Sequence, residues 1–433
     1  RLIRLLTGWR PPSLSSLTRA SIIVASDLKP SDTAQLDPKQ VLGLATAAGS
    51  ATSHTAILAR GLGLPAVVGL GETVVDLAEG TNMILDGFTG QLLVDPDPNM
   101  LSEYRVRQAA SEQRRAAALA GVGEPAVTRD GHRVEVAANI GDEAGARLAV
   151  VNGAEAVGLL RTEFLYLDRS NPPSEDEQVA AYTAIANALE GRPLIIRTLD
   201  IGGDKPALYL DLPEELNPFL GWRAIRFCLA RPDVFKTQLR AILRAAQGRN
   251  IKVMFPMIAT LDEIRQAKAL LTEAGAELTA QGTPHATRIE TGIMVEVPAA
   301  AVAADLLAPE VNFFSLGTND LVQYTLAADR TNPRVAPLAD PFNPAVLRLI
   351  KQVIDAGHAV GKWVGMCGEM AGMPQAIPIL LGLGLDEFSM TPAAIPEAKA
   401  LIRRLSFTEA RDLATRELSL HSATEMRNVK HET

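Results

Sequence analysis

Little in this 433-residue chain suits crosslinking, membrane insertion or nucleic acid. It has only two cysteines, Cys228 and Cys367, too few for a disulfide framework and not spaced as metal ligands, which fits a reducing compartment such as the cytoplasm. Aromatic residues are 4% of the chain against 47% for hydrophobic residues as a whole, so the core must be largely aliphatic. Long basic runs are absent and the formal net charge is −8, which argues against nucleic acid or an anionic membrane surface as the main partner. No apolar stretch reaches the ~18–20 residues that span a bilayer. The opening RLIRLLTGWRPP lacks the layout of a signal peptide, and neither a heptad array nor a low-complexity tract occurs. The first residue is Arg rather than Met, which leads one to expect a fragment whose N-terminal portion is missing.

The length calls for two folded units of unequal size. Over residues 22–98, short apolar runs (IIVA, VLGLAT, PAVVGL, NMILDG, QLLVD) alternate with turn signals, with one helical stretch after His54, and read as a compact α/β unit. From Pro98 to Ala120 the composition shifts to Arg, Gln, Glu and Ala at helical spacing, as in a linking helix, which Gly121 to Pro125 ends. Beyond Pro125, eight β-rich runs recur between helical segments: VEVAANI, AVGLLRTE, LIIRTLD, KVMFPMI, GIMVEVP, FFSLGTND, WVGMCGE and DEFSM. Eight alternating strand and helix units over about 300 residues predict a (β/α)8 barrel. Arg161, Arg197, Glu296, Asn319, Asp320 and Cys367 fall at the ends of these runs, where barrels of this kind carry their active face. The polar tail from Ser419 is expected to fray.

His54 sits in GSATSHTAILARGLGLP, where Gly49 permits a tight turn and Thr52 and Ser53 are good helix caps. An anion on a first-turn histidine would meet free backbone N–H groups and the positive end of the helix dipole; local spacing alone favours a partly exposed histidine that merely begins a helix. Glu296 in MVEVP and Asp320 in GTNDL lie on consecutive strands, so both carboxylates can face one cavity. A hard divalent cation such as Mg2+ suits them, with water and substrate oxygens completing its octahedron, whereas either acid alone could simply pair with an arginine. Arg161, Arg197, Arg223 and Arg330 recur near strand ends or in the following loops, and planar guanidinium forks grip phosphate and carboxylate. Each alone would read as an ordinary salt-bridge residue; four around two acids suit a polyanionic ligand with a metal. Cys367 is a thiol able to donate a proton at neutral pH, though a lone cysteine is more commonly a small core residue, the role assigned to Cys228.

The segment around His54 resembles the phosphohistidine segment shared by enzyme I of the bacterial sugar phosphotransferase system, phosphoenolpyruvate synthase and pyruvate phosphate dikinase. PSDTAQL, GLLRTEFLYLDR, IIRTLDIGGDKP, NPFLGWRAIR, GIMVEVP, FFSLGTNDLVQYTLAADR and GKWVGMCGEMAG resemble enzyme I and follow its order, over nearly all of the chain after Ser21. The resemblance implies a remnant of an N-terminal helical region at 1–20, with RLIRLL as its last turn or two. It further implies a small swivelling phosphohistidine α/β domain at 21–98, a linker helix at 99–125 and a TIM barrel that binds phosphoenolpyruvate at 126–433.

It implies that His54 accepts the phosphoryl group, that Thr33 orients its imidazole, and that Arg161, Arg197, Arg223, Arg330 and Asn319 bind substrate. Glu296 and Asp320 become the Mg2+ ligands and Cys367 the acid that protonates the enolate. The implied partners are phosphoenolpyruvate, the carrier protein HPr and a second copy through the barrel. Two departures stand out: Ser50 and Ala51 replace the Gly and Arg usual before T-S-H, which bears on rate, and Ala339 stands where relatives carry Tyr. A nitrogen-regulatory enzyme I remains open, as does a synthase or dikinase, which would need a nucleotide-binding segment that this sequence does not display.

Overall fold

The computed structural model describes residues 19–28, 36, 40–49, 55–56, 59, 63–167, 169–203, 210, 215–332 and 334–428, with side chains to 425. His54, Thr33, Ser50, Ala51 and the RLIRLL stretch lie outside the described residues. The chain divides into two compact units, one of Arg1–Arg115 with Ala328–Ala339, the other of Ala116–Ala327 with Asp340–Thr433.

In the first unit, β1 (Ser21–Ala25), β2 (Val41–Thr46) and β3 (Ala66–Val67) form a parallel sheet in that order. Leu28, Leu36, Val41, Leu44 and Ala59 pack together against it, so the aliphatic runs supply its core. Thr55, Ala56 and Ala59 are helical, and the Thr55 hydroxyl donates to the Leu28 carbonyl at 3.2 Å. β4 (Met83–Asp86) and β5 (Gln91–Val94) form an antiparallel hairpin. The helix Pro98–Ala120 follows. Asp97 starts it by accepting from the N–H groups of Asn99 and Met100 at 2.8 and 2.9 Å, with Pro98 in the first turn, where a missing donor costs nothing.

The second unit is a closed parallel barrel of eight strands: β6 (Glu135–Ile140), β7 (Ala156–Leu160), β8 (Leu194–Arg197), β9 (Ile251–Phe255), β10 (Thr291–Val295), β11 (Phe313–Leu316), β12 (Trp363–Met366) and β13 (Glu387–Met390). All eight runs read from the sequence are strands of this α/β fold. Each is apolar nearly throughout because helices cover its outer face while the barrel core covers its inner one. Outer helices begin at strong caps: Ser174 with Glu177, and Thr260 with Glu263, form reciprocal capping boxes. At the floor, the buried Lys399 ammonium donates to the carbonyls of Val122 and Gly153 at 2.9 and 3.0 Å. Among the described residues no helix is long and apolar enough to cross a membrane.

The polar tail is more ordered than its composition suggests, since Ala423–Asn428 is a helix. Ser422 and Glu425 explain it: the Glu425 N–H donates to the Ser422 hydroxyl at 3.2 Å, and the Glu425 carboxylate accepts from the His421 N–H at 2.9 Å. This S-x-x-E pattern initiates a helix even in a polar stretch.

Candidate active site

The C-terminal strand ends gather the polar residues of the barrel. Arg161 follows β7, Arg197 ends β8, Glu296 follows β10, Asn319 and Asp320 open the helix Thr318–Leu326 after β11, and Cys367 follows β12. Arg223 lies just before the helix Ile225–Ala230 and turns its guanidinium to Asp200 and Asp320. Arg330 falls in Ala328–Ala339, the segment grouped with the first unit.

The arginines differ in how much of each is committed. Arg223 is fully buried: Nε and Nη2 donate to Asp200 at 3.0–3.2 Å, while Nη1 reaches the Tyr324 hydroxyl at 3.2 Å and Asp320 at 3.5 Å. Burial alone would lower its pKa, but Asp200 and Asp320 raise it well above the ordinary value. Arg197 pairs with Glu163 and with Asp200, at 3.1 Å for the latter, yet its buried Nε has no hydrogen-bond partner among the described residues. Arg161 is half-buried, with the Arg197 charge and the carboxylates of Glu163 and Glu369 acting on its guanidinium. Its pKa is lowered by burial first and by the neighbouring Arg197 charge second, against the opposing pull of Glu163 and Glu369. Of these arginines Arg161 is the most exposed to an incoming anion, while Arg197 is committed to its carboxylates apart from Nε.

The acids show the converse. Glu296 is 1% exposed, and its carboxyl is pushed up to about 8, by burial first and then by Asp320 and Asp200. Two buried carboxylates that oppose each other's charge are a pair that could hold a hard divalent cation. Among the described residues no group of three His, Cys, Asp or Glu side chains could hold a metal. One Glu296 oxygen is already held, since the Met257 N–H donates to Oε1 at 2.6 Å. Met257 has φ 57°, a left-handed conformation that costs a non-glycine residue on the order of 1–3 kcal/mol and is common where a site fixes its backbone. Asn319 accepts from the Glu369 N–H at 3.0 Å and so ties the start of its helix to the loop after Cys367.

Cys367 is 4% exposed, with its pKa raised to about 11, chiefly by burial. Such a thiol is protonated throughout the neutral range and can act as an acid. Cys228 is fully buried with Sγ 3.7 Å from the Leu199 carbonyl, among core residues.

Sequence reasoning missed Glu163 and Asp200. The signal was present, because each stands two or three residues after its arginine in R-T-E and R-T-L-D. It also missed the buried network beneath these loops. Gln178 accepts from Tyr166 and Tyr182 at 3.1 and 3.2 Å, and Gln238 donates to Tyr182 and Thr162, both at 3.2 Å, while accepting from the Leu199 N–H at 2.9 Å. Asp200→Ala is expected to lower barrel stability by roughly 3–5 kcal/mol, because two buried guanidiniums lose their shared anion. Chemical denaturation of wild type and variant measures this, and an unchanged midpoint would mean that Glu163 and Asp320 suffice.

Residues 115–407 match the family described as PEP-utilising enzyme, PEP-binding domain, and residues 17–90 match PEP-utilising enzyme, mobile domain. The chain is 54% identical to the phosphoenolpyruvate-protein phosphotransferase of Geobacillus stearothermophilus, over 98% of this chain and 74% of that protein. It is 51% identical to the protein of the same name from Bacillus subtilis strain 168, over 97% and 74% respectively. The counterpart in Staphylococcus carnosus strain TM300 is 48% identical over 100% of this chain and 75% of that one.

Proposed function

We propose that this chain, which belongs to the phosphoenolpyruvate-protein phosphotransferases among the PEP-utilising enzymes, binds phosphoenolpyruvate at the barrel mouth and moves its phosphoryl group to His54. Pyruvate is released and the phosphoryl group passes on to the carrier HPr for sugar uptake. The observation that carries this reading is the half-buried Arg161 and the unpartnered Nε of Arg197, at the same strand ends as the buried acids Glu296 and Asp320.

Arg161 and Arg197 grip the anionic groups of the donor, with Asn319 and Arg330 completing the substrate contacts and Arg223 bracing Asp320. Glu296 and Asp320 would hold Mg2+, whose charge, when bound, offsets that on the phosphate and enolate oxygens. The His54 imidazole, oriented by Thr33, attacks phosphorus in line. A nitrogen–phosphorus bond forms, the bond from phosphorus to the enol oxygen breaks, and its electron pair stays on that oxygen. Cys367 then gives its proton to the methylene carbon of the enolate, which becomes pyruvate. Transfer requires His54, in a mobile domain at 21–98, to reach a donor in the barrel at 126–433, with the linker at 99–125 as the swivel. A cytoplasmic dimer formed through the barrel completes the reading.

Labelled phosphoenolpyruvate with Mg2+, followed by a sugar-type or a nitrogen-type carrier, tests it. Acid-labile label should appear on the chain and leave preferentially for the sugar-type carrier. Transfer to the nitrogen-type carrier alone would move the chain to the regulatory branch, and failure to label would overturn the reading.

A further inference from the structure

We propose that the proton lost by Cys367 is replaced from inside the barrel, by Glu387 through the hydroxyl of Ser315. The inference rests on the role of Cys367 as the acid and extends it to the source of its proton.

Three adjacent strands carry the argument. Ser315 on β11 is in register with Gly365 on β12, and Gly365 with Glu387 on β13. Cys367 lies two residues beyond Gly365 and continues that strand, its N–H donating to the Leu316 carbonyl at 3.1 Å, so both face the barrel interior. Gly365 keeps this lane open: a Cβ there would stand 2.9 Å from Oε1 of Glu387, and one at Gly158 would stand 2.4 Å from it. The Glu387 carboxyl therefore lies over the glycine that separates it from Ser315. Glu387 is 3% exposed and Ser315 fully buried, and neither Glu387 Oε1 nor Ser315 Oγ has a hydrogen-bond partner among the described residues. The neighbouring Ser389 and Asn139 side chains are satisfied, since the Ser389 hydroxyl donates to Asn139 at 2.7 Å and Asn139 donates to the Cys367 carbonyl at 2.9 Å. Two orphaned protic atoms in a packed interior call for an explanation.

Both groups act on the thiol. The Ser315 hydroxyl draws its pKa down, without meeting it in good hydrogen-bond geometry, and the Glu387 charge pushes it up. Glu387 itself is raised to about 8, by burial first, then by Glu135 on β6 and Asp386, with Lys252 on β9 opposing. Burial thus favours the protonated form of both the Glu387 carboxyl and the Cys367 thiol, so each can hold the proton that the relay passes. As the methyl C–H bond of pyruvate forms, the Cys367 S–H bond breaks. The thiolate then takes the Ser315 hydroxyl proton while the Ser315 oxygen takes that of Glu387. Glu387 recovers a proton from solvent at the floor, where Glu135 and Lys252 are only partly buried and Lys252 pairs with Glu290 at 2.8 Å.

Exchange at equilibrium separates this route from a structural role. With phosphoenolpyruvate, Mg2+ and carbon-labelled protiated pyruvate in deuterated water, carbon exchange needs only that Cys367 give and take one proton. Deuterium enters the methyl group only if that proton is traded with solvent. The wild type should gain deuterium in step with carbon exchange. Glu387→Gln and Ser315→Ala should each lower the ratio of deuterium entry to carbon exchange by about tenfold or more, because the same proton is recycled. A wild-type ratio in both variants, or a parallel fall of both exchanges, would overturn the relay. Cys367→Ser distinguishes the deeper failure: wild-type carbon exchange in that variant would remove the acid itself. Its loss alongside wild-type ratios in the other two would remove only the relay.

Discussion

Cys367→Ser is expected to bind phosphoenolpyruvate nearly as the wild type does, yet to form pyruvate roughly 100- to 10,000-fold more slowly, the usual contribution of a general acid. Serine keeps the shape of a side chain that is 4% exposed, so the pocket should survive. An alcohol is a far weaker acid than a thiol, even one raised to about 11. The stereochemistry supplies a second readout. A labelled methylene group protonated in deuterated water should give chiral pyruvate from the wild type, because Cys367 stands on one face of the enolate, and a racemic methyl group from the variant. Equal turnover with unchanged stereochemistry would return Cys367 to a packing role.

Glu296→Ala and Asp320→Ala should each abolish most Mg2+-dependent activity at low Mg2+, since one carboxylate holds the ion poorly and leaves the donor phosphate under-neutralised. The raised pKa of Glu296 adds a dependence on pH whose sign is fixed. A carboxyl with a folded value above its unfolded one contributes stability at low pH that is lost as pH rises through the folded value. Without metal, then, the barrel should lose stability between the ordinary carboxylate range and about pH 8. Mg2+ should restore it at the alkaline end, where it replaces the proton. Thermal midpoints across that range, with and without Mg2+, measure both effects. A metal-free midpoint independent of pH, or full activity of either variant at low Mg2+, would contradict the pairing of these acids.

The barrel was legible in the sequence because its strands are buried on both faces and therefore read as short apolar runs closed by polar residues, from VEVAANI to DEFSM. The same rule pointed to Arg161, Arg197, Glu296 and Cys367 at strand ends. What holds those residues was harder to read. Glu163 and Asp200 are single acids in loops, without a periodicity to mark them, and only the fold aims them at Arg197 and Arg223. The Met257 N–H that fixes Glu296 depends on a backbone angle that no side chain announces. Ser315 and Glu387 were hidden by their surroundings, as polar residues in strands that otherwise pattern as core. In the tail, net polarity outweighed the local S-x-x-E signal of Ser422 and Glu425.

Phosphoryl transfer to His54 is the central claim, and the most direct measurement is to map the label. Phosphoenolpyruvate labelled at phosphorus should mark the wild type with an acid-labile, base-stable group on the peptide that contains His54, as a phosphorylated imidazole requires. His54→Ala should take up none, while still binding phosphoenolpyruvate in the presence of Mg2+, because the barrel residues are untouched. Persistent acid-labile labelling of His54→Ala, or label on any other peptide of the wild type, would contradict the account.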